Sequence, residues 1–281
     1  MLRFAFSSNA FKKVDVFEAA RQIASVGYAG MEVMADVPHA YPPDFSADQR
    51  RRLVGLLREL GLAVSNVNAF TLFARGDTYH PSWIEHDPEA RRVRVDHTIA
   101  AVELAAEIGA PSVSIQPGGP LIGTGLTRDQ ASRRLADGIE AVLPTATRCG
   151  ITLAIEPEPG LLLQSISEYL EFKTRFFGQE TRLAMNCDLG HLFCVGDDPA
   201  TVIRRYGDQI AHIHLEDIGR NHVHQHLPLG EGAMDIPGIL NALTEAQYAG
   251  WVTVELYPYV TTPTEVARRA MGYLQTIQSN P

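Results

Sequence analysis

The sequence predicts an α/β fold: one closed barrel of eight parallel strands, each followed by a helix. Three observations predict it. Short apolar runs alternate with segments of helical period along the whole chain. No Ser/Gly linker, charge block or low-complexity segment divides the 281 residues, so residues 1–281 read as a single domain. Four late strands end in a side chain capable of chemistry: Leu153-Ala-Ile-Glu156, Leu183-Ala-Met-Asn-Cys-Asp188, Ile210-Ala-His212-Ile-His214 and Trp251-Val-Thr-Val-Glu255. An open doubly wound sheet also alternates strand and helix, but eight repeats in this length fit closure into a (β/α)8, or TIM, barrel.

Arg3–Ser7 reads as the first strand, followed by a helix over 14–25. Gly30–Met34 is the second strand, and Ser46 with Gln49 opens the second helix, over 46–60. Ala63–Asn68 is the third, followed by a long aromatic loop with Phe70, Phe73, Tyr79 and Trp83. Asp87-Pro88 starts the third helix, whose inward face is expected at Val93, His97, Ala100, Leu104 and Ile108. Strand four is expected over 112–116, followed by a Gly-rich loop at 117–125 and a helix opened by Thr127 and Gln130. Strand five is expected over 152–156, with Ser165 and Glu168 opening its helix. Leu183–Asp188 is the sixth strand, with a short helix from Asp198-Pro199. Ile210–Leu215 is the seventh, followed by a long His-rich loop and a helix from Asp235. Strand eight is expected over 251–256, and Thr262 with Glu265 opens the last helix. The pairs at 46/49, 127/130, 165/168 and 262/265 have the spacing of capping boxes, in which a hydroxyl and the side chain three residues on satisfy each other's backbone N–H groups. The strand interiors ahead of the polar tips are expected to be apolar or small.

Composition narrows the function. A net charge of −9 argues against a nucleic-acid partner, because binding a phosphate backbone takes Lys and Arg to release counterions. No apolar run reaches membrane-spanning length, and the first residues read as a strand and not as a signal segment. The cysteines Cys149, Cys187 and Cys194 follow no metal-finger spacing. Together these features lead to the expectation of a cytoplasmic protein acting on a small molecule.

If the four strands share one barrel, Glu156, Asp188, His214 and Glu255 converge on its C-terminal face. Three carboxylates and one imidazole suit one divalent ion, Mn²⁺ or Mg²⁺ first, with Co²⁺ or Zn²⁺ as further options. Buried carboxylates at one place raise each other's pKa, and a cation relieves that conflict. The competing reading, in which each acid caps a helix or pairs with a base, suits any one of them better than all four.

These residues carry a resemblance. Ile155-Glu156-Pro157, Asp188-Leu-Gly-His191, His212-Ile-His214-Leu-Glu-Asp217, His226-Leu-Pro-Leu-Gly-Glu-Gly232 and Tyr248-Ala-Gly-Trp-Val-Thr-Val-Glu255 occur in the order found in the xylose isomerase-like TIM-barrel superfamily of sugar isomerases and epimerases, with its AP endonuclease family 2 relatives. Gly27-Tyr-Ala-Gly-Met-Glu32 and Gly61-Leu-Ala-Val-Ser-Asn66 resemble its second and third strands. The resemblance implies that Glu156, Asp188, His214 and Glu255 bind one metal, that Glu156 and Glu255 form the acid/base pair, and that His191 touches a substrate oxygen. Relatives often form dimers, so a homodimer or homotetramer is an expectation by analogy. The endonuclease IV-like branch adds histidines at the tips of strands three and four, where this chain has Asn68 and Gln116, and has Asp-x-His where this chain has His224-Gln-His226. A phosphodiesterase is therefore the least supported reading. Ketose 3-epimerases carry a further Glu in the strand-five loop, where this chain has the apolar Gly160-Leu-Leu-Leu163.

The remaining candidates line the expected pocket end. His226 is expected to be a pocket-facing hydrogen-bond donor to substrate, and Gln116 and Asn68 to touch substrate. Glu158 is either a second pocket acid or a loop cap, and Arg220 either a clamp for a phosphate or hydroxyl or a solvated arginine. The Gly-rich loop matches no phosphate-loop spacing. His222 and His224 are expected to be solvated, His212 to face the helices, and His97 to be a core residue. Phe70, Phe73, Trp83, Tyr257 and Tyr259 are expected to form a lid or to cover the core.

The leading expectation is a metal-dependent isomerase or epimerase of a ketose or sugar phosphate, working by proton abstraction and a metal-stabilised enediolate, with Glu156 or Glu255 moving the proton. The alternative is an inosose dehydratase-like lyase on a cyclitol or keto-sugar. It shares the first step and then expels a β-hydroxyl.

Overall fold

The computed structural model describes residues 2–279. Its strands β1 (Arg3–Ser7), β2 (Gly30–Met34), β3 (Ala63–Asn68), β4 (Ser112–Ile115), β5 (Thr152–Ile155), β6 (Leu183–Asp188), β7 (Ile210–Leu215) and β8 (Trp251–Val254) pair in chain order. All pairs are parallel, and β8 closes on β1 with Ala5 opposite Thr253. The closed eight-stranded barrel is the predicted fold.

Helices α1 (Val16–Val26), α2 (Ala47–Leu60), α3 (Pro88–Ile108), α4 (Arg128–Cys149) and α5 (Ile166–Phe176) follow β1 to β5 in turn. After β6 come two short helices, α6 (Leu189–Val195) and α7 (Pro199–Tyr206), then α8 (Ile236–Glu245) after β7 and α9 (Pro263–Ser279) after β8. Helix α6 is the element that sequence periodicity does not reveal. It starts directly after Asp188, the last residue of β6 and its N-cap, so no loop separates two different hydrophobic periods. Reciprocal capping boxes form at Ser46/Gln49 and Thr127/Gln130. At Ser165 only the hydroxyl half forms, because the Glu168 carboxylate accepts the Gln164 N–H at 2.6 Å instead.

The apolar core lies between the strands and the helices. Outward-facing strand residues such as Phe6, Val33, Val67, Val113, Ile155, Met185, Ile213 and Val254 are buried there against helical Ile23, Leu53, Leu104, Ile139 and Leu243. The buried face of α3 is rotated from the one expected. Arg94, His97, Ala101, Leu104 and Ile108 are buried, while Val93 and Ala100 are partly exposed. Arg94 is drawn inward because its guanidinium donates to the carbonyls of Ala69, Phe70 and Pro81 and so anchors the aromatic loop after β3.

The barrel interior differs from the apolar lumen expected. Residues two apart on a strand share a face, so the residues beneath the polar tips also point inward, and three of the four, Asn186, His212 and Thr253, are polar, Ala154 being the exception. Asn66 donates to Ser114 at 2.9 Å, Ser112 donates to the Asn66 carbonyl oxygen at 2.7 Å, and Ser65 and Thr253 meet across the barrel at 3.0 Å. A β-bulge between Met31 and Glu32 lets Ser65 and Asn66 both take part. His212 also lies inside, fully buried, and not among the helices as expected: it shares the parity of His214. Buried polar groups persist where they find partners, and for Ser65, Asn66, Ser112, Ser114 and Thr253 the lumen supplies them side chain to side chain.

Candidate active site

The four strand-tip residues meet. One ligand atom each from Glu156, Asp188, His214 and Glu255 lies within 4.8 Å of the others, and all four residues are buried. The local sequence explains each placement. The Glu156 N–H still bonds the Ile115 carbonyl at 3.1 Å, after which Pro157 ends the ladder, leaving the carboxylate on the barrel rim. Glu255 does the same on β8, its N–H on Leu215 at 3.1 Å. Asp188 caps α6 through Oδ1, which accepts the His191 N–H at 2.7 Å. That cap leaves Oδ2 free to face the centre. His214 turns Nδ1 toward the carboxylates, 3.3 Å from Glu156 Oε1, 3.6 Å from Glu255 Oε1 and 3.7 Å from Asp188 Oδ2.

Two asparagines hold the carboxylates in place. Asn186 donates to Glu156 Oε2 at 2.8 Å, and Asn9 donates to Glu255 Oε1 at 2.7 Å. Burial raises Glu156 and Glu255 above the usual carboxylate range, with the neighbouring carboxylates adding to it. Burial would also raise Asp188, but His191, His214 and His226 around it hold it well below that range. Burial opposes protonation of His214, yet Glu255, Glu32 and Glu156 raise it well above an ordinary imidazole.

This donor set fits a divalent cation. Three carboxylates and one imidazole converge without a basic side chain among them, and Asp188 Oδ2 is a buried oxygen with no hydrogen-bond partner among the described residues. A cation there would satisfy that oxygen and neutralise the cluster.

A cavity of about 220 Å³ opens above the four residues. Asn9 and Lys12 reach it from the segment after β1, and Asn68 from the end of β3. Phe70, Phe73 and Tyr257 give it an aromatic wall, and the Lys12 ammonium lies 4.8 Å from the Phe73 ring centre. Opposite stand Glu158, His191, His224 and His226. Glu158 is buried, accepts the Tyr79 hydroxyl at 2.8 Å, and is raised by its burial to about 8. Of its two readings, the pocket acid is the one the fold realises.

His191 and His226 donate their Nδ1–H to the carbonyls of Pro157 at 3.0 Å and Glu255 at 2.9 Å. Each therefore turns Nε2 inward as an acceptor, and burial lowers them to about 3 and about 4. His226 was expected to donate into the pocket; because its Nδ1–H is used on the Glu255 carbonyl, its Nε2 is an acceptor instead. His224 is not the solvated residue expected. Its Nε2 sits 2.9 Å from that of His191 and 3.2 Å from that of His226, and the three nitrogens could themselves hold an ion. His222 is exposed and stacks on Phe193, as a loop residue should.

One expectation changes, at Gln116, and others resolve between their alternatives. Gln116 is buried below the cavity, donating to the Thr78 carbonyl at 3.0 Å, and does not line it. Arg220 is exposed on the β7 loop, away from the cavity, so the solvated reading is the one realised. The Gly-rich loop packs on the strand-five loop, with Pro120 bridged to Leu161, and adds no lining group. Trp83 is buried in the core beside Gly138, and Tyr259 packs on the core, so neither forms a lid.

Sequence reasoning assigned no role to Asn9, Lys12, Glu32, Asn186 or Glu216. Asn186 was findable, because it shares the inward parity of Asp188. Glu216 shares that of His214 and lies buried beside Asp188; burial, then Asp188, raises it well above the usual carboxylate range. It also explains the glycine of Asp-Leu-Gly-His, since a Cβ at position 190 would overlap its carboxyl group. Asn9 and Lys12 lie in a loop with no periodic signal.

Residues 20–277 match the family model described as xylose isomerase-like TIM barrel. The chain is 25% identical over 288 residues to an inosose dehydratase of Lacticaseibacillus casei, covering 96% of this chain and 92% of that protein. It is 23% identical over 268 residues to a fructoselysine 3-epimerase of Shigella flexneri, covering 92% of both. Among solved structures, the zinc-bound IOLI protein superposes with a TM-score of 0.79 at 16% identity, covering 99% of this chain and 98% of that one. Among the described residues, no helix is long and apolar enough to cross a membrane.

Proposed function

With the chain belonging to the xylose isomerase-like TIM-barrel family, we propose that it is a divalent-metal-dependent isomerase or epimerase of a small sugar, acting as one domain over residues 1–281. The observation that carries this reading is the convergence of Glu156, Asp188, His214 and Glu255, with an unpartnered buried oxygen, at the floor of a cavity of small-molecule size. The full-length likeness to curated sugar- and cyclitol-modifying enzymes supports it. The free cysteines are in keeping with a cytoplasmic setting.

The ion held by Glu156, Asp188, His214 and Glu255 would supply Lewis-acid stabilisation of the negative charge that develops on a carbonyl oxygen when the neighbouring carbon loses its proton. Glu156 and Glu255 are the groups that take and return that proton. Asn186 and Asn9 hold these two carboxylates in a fixed orientation. His191 and His226, neutral and fixed in tautomer, accept hydrogen bonds from substrate hydroxyls through Nε2. Asn68 and Glu158 add polar contacts, while Phe70, Phe73 and Tyr257 cover apolar ring faces and keep bulk water out.

A dehydratase of a cyclitol or keto-sugar is the second reading. The inosose dehydratase relative favours it, and so does Glu158, which at about 8 is protonated at neutral pH and placed to hand a proton to a departing hydroxyl. One experiment tests both. The Mg²⁺-loaded protein is mixed in D₂O with ketoses, their phosphates and inososes and followed by NMR. Deuterium beside the carbonyl together with a new sugar is the expected result. Deuterium with loss of water selects the dehydratase, and turnover of a substrate without solvent exchange contradicts proton abstraction.

A further inference from the structure

Directly beneath His214, on the far side from the cavity, lies Glu32 of β2, a carboxylate with no exposed surface. Its Oε2 accepts the Nε2–H of His214 and an N–H of Asn66, both at 2.8 Å. Its Oε1 accepts Ser7 Oγ–H at 2.7 Å and an N–H of Asn68 at 3.3 Å. His212 Nε2 lies 3.4 Å from Oε2. Donors from β1, β3 and β7 thus pin one buried carboxylate from several directions.

We infer that Glu32 is the positioning residue for His214, fixing Nε2 as the protonated nitrogen and Nδ1 as the ligand. The inference rests on the metal reading above. A neutral imidazole has one lone pair in its ring plane, and the partner of the other nitrogen decides which nitrogen carries it. An ionised carboxylate can only accept, so the nitrogen facing Glu32 keeps its hydrogen. The lone pair is left on Nδ1, the nitrogen that points at Glu156, Asp188 and Glu255. The same bond fixes the plane of the ring, and the negative charge makes it a better donor to a cation. Ser7, Asn66 and Asn68 keep the carboxylate from rotating away.

Zn²⁺ and Mn²⁺ binding to chelator-stripped protein, measured by calorimetry, tests this on Glu32→Gln, which keeps the shape and removes the charge. Partners of metal ligands are worth about 10–100-fold in affinity, and that loss is expected, with the fold retained by circular dichroism. A merely structural role would lower the melting temperature of the metal-free protein and leave the dissociation constant unchanged, which overturns the inference and spares the metal reading. A second readout needs no variant. In Zn²⁺-loaded wild type labelled with ¹⁵N-histidine, long-range ¹H–¹⁵N spectra should show His214, identified by its loss in His214→Gln, protonated at Nε2 and metal-bound at Nδ1. The opposite tautomer overturns the inference even if Glu32→Gln does not fold. Wild type that binds neither ion overturns the metal reading and this inference with it.

Discussion

Strands β5 to β8 end in Glu156, Asp188, His214 and Glu255, whereas β1 to β3 send Ser7, Glu32, Asn66 and Asn68 into the same barrel without adding to that ligand cluster. The late half supplies the groups that would meet a cation. The early half contributes a hydrogen-bonded cradle beneath them, with Glu32 accepting from Ser7, Asn66, Asn68 and His214. Both halves are equally buried, so burial alone does not separate ligand from support. Contacts do: Glu156 and Glu255 line the cavity, whereas Glu32 does not line it and accepts from Ser7, Asn66, Asn68 and His214.

The sharpest way to break this contrast is to remove a late carboxylate. Glu255→Gln takes away a proposed ligand and a proposed acid/base together. Turnover of the exchanging sugar should fall by about 10²–10⁴-fold, the range for a lost general acid or base, with an unchanged circular dichroism spectrum. Undiminished turnover would remove both roles.

A supporting group should give a smaller loss. Asn186→Ala deletes the N–H that holds Glu156 Oε2. Metal affinity, read by calorimetry, should weaken by about tenfold, the low end for partners of metal ligands. A loss as large as that of Glu255→Gln would place Asn186 among the groups meeting substrate.

The third prediction concerns pH and metal-free protein. Burial, then the charges of Glu156 and Asp188, raises Glu158 from 4.5 to about 8, with the Tyr79 hydroxyl opposing. In the unfolded chain this group ionises near 4.5, so between that pH and about 8 the folded state holds a proton that the unfolded state has released. Its stabilising effect is complete at low pH and declines as pH rises through that window. The melting temperature of Glu158→Gln should therefore fall less between pH 5 and 8 than that of wild type. Parallel curves would show that Glu158 is ionised in the fold.

The smallest effect is expected at Arg220. It is exposed and lies outside the cavity, and surface substitutions of this kind stay within about 0.5 kcal/mol. Arg220→Ala should leave kcat/KM within about twofold. A large rise in KM would show that the β7 loop folds over bound substrate.

The same division governs what could be read in the sequence. The late tips stand out because each is a charged or ionisable side chain at the end of a mainly apolar run. Glu32 sits mid-strand with apolar neighbours on both sides, and Asn66 and Ser7 look like ordinary polar strand residues until strand closure sets them face to face. Period-two alternation, applied consistently, would have placed His212 and Asn186 inside the barrel along with His214 and Asp188. His224 and Lys12 depend on loop paths, which no periodicity encodes, and Arg94 was hidden because a charged residue on a buried helical face makes sense only once its carbonyl partners are known. Gln116 and Arg220 lie outside the cavity lining for the same reason: a strand-end or loop position fixes the neighbourhood of a side chain but not its direction.

The most direct test of the central claim is the anomalous difference map of a Mn²⁺-soaked crystal measured at the manganese edge. The account predicts one dominant peak bonded to Glu156, Asp188 and Glu255 and to Nδ1 of His214. No peak at that position, or a dominant peak among His191, His224 and His226 with the four strand tips empty, would contradict it.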